Sequence, residues 1–349
     1  MRKLLINSSA LFSLIILLSL TITSCSTAKD TSKLKVLIID GQSNHGIWPK
    51  TTAMIKDYLE KTDLFTVEIA RTQYIWLGPH SGMDSTQLME NYLQYTLDDK
   101  EYISLSEPQM DSTFSPNFSD FDLVISNFGW KAADLPEQTK KNLEDFVANG
   151  GGFITVHAAN NSWDNWAEFN KMTGLGGWGG RNEDSGPYVY YNTDNVLVRD
   201  TTAGPGGSHG AQQEGIVIVR EAEHPIMKGM PSKWKHTMDE VYDRLRGPAE
   251  NMTVLATTFS GTDENSPPWN KSTKGTNRHE PMFMAIDYNK GRVLNICYGH
   301  SDLSFECVGL KTIVERGAEW AATGQVSQEL PANFPTEDNI SKIDWTKPE

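Results

Sequence analysis

From Lys35 onward the chain alternates short apolar runs with stretches of helical period, and this alternation leaves few architectures open to it. Lys35 to Asp40 (KVLIID) is an apolar run stopped by Gly41, which reads as a buried strand. Pro49 to Leu64 places Met54, Ile55, Tyr58 and Leu59 at helical spacing, and Phe65 to Ala70 (FTVEIA) alternates as a strand does. Together they predict a βαβ unit. Leu123 to Ser126 (LVIS) is the next strand, and Pro136 to Asn149 a helix with Asp134 as its N-cap and Gly150 as its stop. Phe153 to Val156 follows as a central strand. Strands and helices in this order predict an α/β fold, an open, mostly parallel sheet with helices on both faces. Such sheets bind ligands beyond the carboxyl ends of their strands, where the strand order reverses.

The remaining segments are less regular. Gln73 to Ser119 has weak periodicity and reads as an insertion of loops. The second half is glycine-rich from Gly174 to Gly180 and from Gly204 to Gly210. Short strands are expected at Val189 to Tyr191, Gly215 to Val219, Met252 to Ala256, Met282 to Ile286 and Val293 to Tyr298, with a final helix from Leu310 to Ala322. No linker divides residues 35–324, so they are expected to form one domain, with residues 325–349 as a C-terminal tail.

The N-terminus carries a different kind of information. Arg2 and Lys3 precede the apolar run Leu11 to Leu20 (LFSLIILLSL), which closes on Ile22-Thr23-Ser24-Cys25. This is the pattern of an export signal, and the run is too short for a membrane-spanning helix, which needs roughly 20 apolar residues. The stretch resembles a bacterial lipoprotein signal. That resemblance implies cleavage after residue 24, a lipid on Cys25, a tether over residues 25–34 and attachment to the cell envelope, at the periplasm or outer membrane. Of the three cysteines, Cys297 and Cys307 then remain, both in apolar surroundings and read as small buried residues. No cysteine spacing suits a thiolate zinc site. The net charge of -14, in a chain of 349 residues with 38% hydrophobic residues, describes a globular protein without a basic surface. Nucleic acid is not an expected partner, and the oligomeric state stays open.

Two motifs invite catalytic readings. Gly174, Gly176 and Gly179 match G-x-G-x-x-G, but they follow a helix and precede a turn and a strand, so no helix N-terminus is offered to a pyrophosphate. Neither NAD nor FAD is expected. The other motif is Gly150 to Trp163 (GGGFITVHAANNSW), a strand, a tight turn and a new amphipathic segment. In several α/β enzymes the nucleophile occupies this turn. Here the residue is His157, which excludes acyl-enzyme chemistry at that point. Tyr298-Gly299-His300 repeats the pattern of a strand ending in histidine, and His45 lies just past the first strand.

Several of these histidines therefore face one rim. His157, His300, Asp239 and Glu240 are the candidates for acid–base work, and His45, Trp178, Arg181, His209 and His279 for contacts to a substrate. Trp163, Trp178, Tyr188 and Tyr190 offer flat faces on which a sugar ring can stack. His224 reads as a turn residue, and His80 and His236 as surface residues.

The segments Gly41 to Thr52 (GQSNHGIWPKTT), Gly150 to Asn182, Gly204 to Gly210 (GPGGSHG), His224 to Pro231 (HPIMKGMP), Met238 to Pro248 (MDEVYDRLRGP) and Arg278 to His300 resemble the ThuA-like (trehalose utilisation) family, in its exported lipoprotein branch. The resemblance implies a flavodoxin-like sheet similar to class I glutamine amidotransferases, with His157 at the amidotransferase cysteine position. It also implies a role in carbohydrate metabolism, with a small sugar or keto sugar as ligand. Three readings follow: an enzyme acting on a glycoside or keto sugar by histidine and carboxylate acid–base chemistry, a sugar-binding lipoprotein without turnover, or a hydrolase in which His157, His300 and a carboxylate hold a divalent metal.

Overall fold

A computed structural model describes residues 33–348, apart from 81, 268, 269 and 271. The chain divides into two units, Met1–Ser32 and Lys33–Glu349. The export signal, Cys25 and the tether up to residue 32 lie outside the described residues.

Strand β1 (Leu34–Ser43) is buried along nearly its whole length, as an unbroken apolar run must be when helices cover both faces of a sheet. Helix α1 (Trp48–Lys61) carries Pro49 in its first turn, where the missing N–H leaves no bond unmade, and buries Met54, Ile55, Tyr58 and Leu59. Strand β2 (Phe65–Leu77) lies parallel to β1. The segment expected to be loops instead completes the edge of the sheet. It extends β2 to Leu77, forms α2 (Ser85–Gln94) behind a capping box of Asp84 and Gln87, and adds β3 (Ile103–Leu105). Its periodicity is weak because α2 buries little more than Leu88 and Tyr92.

Strand β4 (Leu123–Ser126), α3 (Glu137–Ala148), β5 (Gly152–Val156) and α4 (Ala167–Thr173) follow. Helix α3 starts from Pro136 rather than from a capping side chain. Asp134 does not cap it; its carboxylate lies 3.4 Å from the Lys140 ammonium. The second half supplies β6 (Tyr188–Tyr191), β7 (Leu197–Asp200), β8 (Ser208–His209), β9 (Gln213–Val219) and β10 (Lys233–Asp239). It continues with β11 (Tyr242–Asp243), β12 (Met252–Ser260), β13 (Arg278–Tyr288), β14 (Gly291–Ile296), α5 (Asp302–Phe305) and α6 (Val308–Thr323).

The main sheet has the order β10-β9-β12-β13-β14-β5-β4-β1-β2-β3. From β3 to β14 the neighbours are parallel, and from β14 to β10 each pair is antiparallel. The order reverses between β1 and β4, which is the switch point expected to face a ligand. Four antiparallel steps separate β14 from β10, so both strands run in the same direction and end on the same rim as β1, β4 and β5. Helices cover both faces. A Cβ on Gly152 would lie 2.7 Å from the Ala321 backbone of α6, while the next residue, Phe153, packs on Phe169 of α4; successive side chains of a strand point to opposite faces.

Residues beyond Gly324 carry no long element but lie against the domain. The Trp345 indole N–H donates to the Asp57 carboxylate at 2.8 Å, and the Phe334 ring meets Trp234. Cys297 and Cys307 are free and buried, as their surroundings predict. Among the described residues no helix is long and apolar enough to cross a membrane.

Candidate functional site

At the rim, β5 ends in a turn whose first residue, His157, has φ 50°. A side chain in this left-handed region costs about 1–3 kcal/mol and persists where the surroundings hold it there. The holding groups are visible. The His157 Nδ1–H donates to the Cys297 carbonyl at 2.8 Å, and the Tyr242 hydroxyl donates to Nε2 at 2.8 Å. These bonds fix one neutral tautomer, in which the Nε2 lone pair accepts from the Tyr242 hydroxyl. Burial holds the His157 pKa down at about 4, although Glu240 and Asp239 pull the other way.

His300 arrives from the end of β14, immediately after Gly299. That glycine has φ 129°, and a Cβ on it would lie 3.2 Å from the His157 Cβ, so the two histidines can approach only with glycine there. His45 follows β1, and its ring lies 4.8 Å from that of His157 and 4.6 Å from that of His300. Glu240 follows β10. Its carboxylate lies 2.9 Å from His300 Nδ1, 3.3 Å from His209 Nδ1 and 3.7 Å from His157 Nε2.

Ligand atoms of His45, His157, His300 and Glu240 all fall within 4.8 Å of one another. Burial alone would raise the Glu240 pKa, but His300, His209 and His157 outweigh it and hold the carboxyl below its usual range. His300 shifts the other way: Glu240 raises its pKa against burial. His45, buried among other histidines, is held well down by burial first and by its neighbours second.

A cavity of about 330 Å³ opens onto this centre, lined by Asn44, His45, Trp130, Trp178, His209, Glu240 and Tyr242 among others. That is at the small end of ligand pockets, roughly 300–1,000 Å³, and among the described residues the lining includes no lysine or arginine. The glycine-rich segments build its wall. Gly177 and Gly207 meet backbone to backbone, a Cβ on Gly177 falling 2.9 Å from the Gly207 Cα, and Trp178 N–H donates to the Gly206 carbonyl at 2.8 Å. Trp178 is held at φ 55°, with its indole edge against Tyr242 and His209. A larger cavity of about 540 Å³ lies at the opposite rim, near Asp122 and Gly151, and has no histidine among its described lining residues.

The structure thus brings together His45, His157, His209, Glu240, His300 and Trp178, and sets three other candidates apart. Arg181 does not reach the cavity. It is buried in its own loop, donating to the Gly177 carbonyl and to Asn170 Oδ1 at 2.8 and 2.7 Å. His279 lies on β13 opposite Tyr191 and beside Phe259, where it lines a separate groove. Asp239 is fully buried, with its oxygens engaged by backbone N–H groups and by His236. Trp163 is core, against Phe128 and Phe169, while Tyr188 and Tyr190 lie under Arg246 and Arg278.

Sequence reasoning misses Trp130, and also Tyr242, although Tyr242 lies within the Met238 to Pro248 segment. It also misplaces His236, which is fully buried, and His80, whose ring lies 5.6 Å from that of His300.

Fold and site together define an open α/β domain with a histidine and carboxylate centre at the carboxyl rim of its sheet. The chain belongs to the ThuA family, described as trehalose utilisation, which it matches over residues 35–321. The crystal structure of a protein described as ThuA-like from Parabacteroides merdae is 37% identical with a TM-score of 0.72, over 89% of this chain and 98% of that one. Another, from Bacteroides uniformis, is 16% identical with a TM-score of 0.50, over 84% and 93%, a likeness that bears on the fold alone. No curated protein matches the chain. The family places the protein in carbohydrate metabolism.

Proposed function

We propose that the domain is a sugar-active enzyme whose centre, His45, His157, His300 and Glu240, holds a divalent transition-metal ion and acts on a glycoside or keto sugar. The observation carrying this reading is the convergence of four ligand atoms within 4.8 Å, together with the tie between His157 Nδ1 and a backbone carbonyl. Metal-binding histidines characteristically anchor their second nitrogen in this way. Two buried atoms of the centre, His45 Nδ1 and Glu240 Oε2, make no hydrogen bond, and buried polar atoms without partners call for an explanation such as an ion. An imidazole-rich set with one carboxylate suits zinc and its neighbours.

When bound, such an ion polarises a carbonyl or hydroxyl oxygen. The chain's own groups do the rest. Trp178 and Trp130 offer faces to a sugar ring, His209 beside Glu240 can move a proton at the cavity wall, and the Tyr242 hydroxyl, which donates to His157 Nε2, would yield that lone pair to the ion. A lining without cations favours an uncharged sugar. A second reading, acid–base chemistry without metal, is favoured by the close His300 and Glu240 pair, which can pass a proton unaided.

The test is elemental analysis of the purified protein with a screen of glycosides and 3-keto sugars, before and after chelation. Stoichiometric metal and turnover lost on chelation are expected. Turnover that persists in metal-free protein would replace the first reading by the second, and sugar binding without turnover would reduce the protein to a binding lipoprotein.

We also propose that Cys25 bears the lipid that anchors the protein to the cell envelope, a reading supported by the signal pattern in the sequence. Labelled palmitate should enter the wild-type protein and not Cys25→Ala, and equal labelling of both would sink the proposal.

A further inference from the structure

We infer that His236 is a positioning residue for this centre, acting through Asp239 on the relative placement of Glu240 and His300; the inference rests on the metal-binding reading above. His236 and Asp239 both lie on β10, where the register with β9 shifts between them, and both are fully buried. Asp239 Oδ2 accepts from His236 Nε2 at 2.9 Å and from Gly299 N–H at 2.9 Å. Its Oδ1 accepts from Glu240 N–H at 2.8 Å and from His300 N–H at 3.1 Å. One carboxylate therefore joins the ends of two strands at the residues that enter the centre.

A carboxylate this fully occupied has no role in proton transfer to a substrate, and it does not line the cavity. Its function is to set a distance. Three backbone donors engage both oxygens of Asp239, and His236 is its side-chain donor among the described residues. The His236 ring is itself clamped, 4.1 Å from the Tyr298 ring and 5.9 Å from that of Trp234, with Cys307 beside it. Removing that donor frees the carboxylate to turn and loosens the spacing of Glu240 and His300. Groups that orient metal ligands in this way typically contribute 10–100-fold in affinity.

The experiment compares full-length wild type, His236→Leu and His236→Gln. Leucine fills the space without a donor, whereas the glutamine amide can still donate to Asp239. Zn²⁺ affinity is measured by competition with a chromophoric chelator, and the histidine ring signals by ¹⁵N NMR in metal-free protein. His236→Leu is expected to weaken Zn²⁺ binding by about 10–100-fold and to move the His300 and His157 ring signals, while His236→Gln restores most of both. A folded His236→Leu with wild-type affinity and ring signals would overturn the inference. So would a folded His236→Gln as impaired as the leucine variant, because the effect would then be packing. Should His236→Leu fail to fold, His236→Gln decides alone: near-wild-type affinity and ring signals support the inference, and a loss of either overturns it. Should wild type take up no Zn²⁺, the proposed metal centre fails, and the ring signals alone decide whether His236 positions the centre.

Discussion

His157→Ala should strip the protein of its metal and lower sugar turnover by about 10²–10⁴-fold. Chemically, the substitution removes the imidazole whose Nδ1 is held by the Cys297 carbonyl. It also leaves the Tyr242 hydroxyl without its acceptor. Alanine keeps the strained φ of 50° with its cost of about 1–3 kcal/mol, so the lost ring and hydrogen bonds should show as a fall in melting temperature. His157→Gly, which relieves that strain outright, should match or exceed the melting temperature of His157→Ala while being equally inactive. The double variant His157→Ala/His300→Ala should be hardly worse than either single one, because residues that act as a unit are not additive. Wild-type metal content and turnover in His157→Ala would remove the histidine from the chemistry altogether.

The largest loss of stability is expected from Asp40→Ala. Asp40 and Arg71 form a buried pair in which Nε and Nη2 donate to the two carboxylate oxygens at 2.7 and 2.8 Å, and Thr52 adds a third donor at 2.8 Å. The Arg71 guanidinium also lies over Trp48, 4.7 Å from the ring centre. Alanine at position 40 leaves a buried guanidinium uncompensated, which costs about 3–5 kcal/mol against a total stability of about 5–15 kcal/mol for an ordinary domain. Removing both charges should cost far less: Asp40→Leu/Arg71→Met is expected near wild type, because the pair itself contributes little net stability once its desolvation is counted. Urea denaturation measures both. A loss below about 1 kcal/mol in Asp40→Ala would mean that Arg71 finds water or another acceptor, and that the pair does not secure the end of β1 from which His45 projects.

What the sequence discloses and what it conceals at this centre have a common physical origin. His45, His157 and His300 stand directly after apolar runs, and in a parallel α/β sheet the carboxyl ends of such runs share one rim, so their convergence is legible. Glu240 is legible as a carboxylate but not as a partner of these histidines, since β10 reaches the same rim only through four reversals of direction that no local pattern encodes. His236 is misread as a surface residue and Arg181 as a substrate contact, whereas each is buried with its donors satisfied by acceptors within the protein. His80 sits in a segment whose helix buries one narrow stripe, so neither the segment nor its histidine announces its place. The glycine-rich loops are visible in the sequence, but their reason, two backbones in contact at Gly177 and Gly207, lies in a pairing of segments far apart in sequence.

The position of β14 has a consequence for how the chain acquires this arrangement. It lies in the interior of the sheet, between β5 and β13, yet it is the last strand of that sheet in chain order and it delivers His300. During synthesis, β5 emerges with one edge unpaired and stays so until residues 291–296 follow. Pairings of such sequence separation slow folding, and an exposed strand edge can recruit the wrong neighbour. The half-finished sheet is therefore the state most exposed to aggregation, and no fragment ending before residue 300 can contain the complete histidine centre.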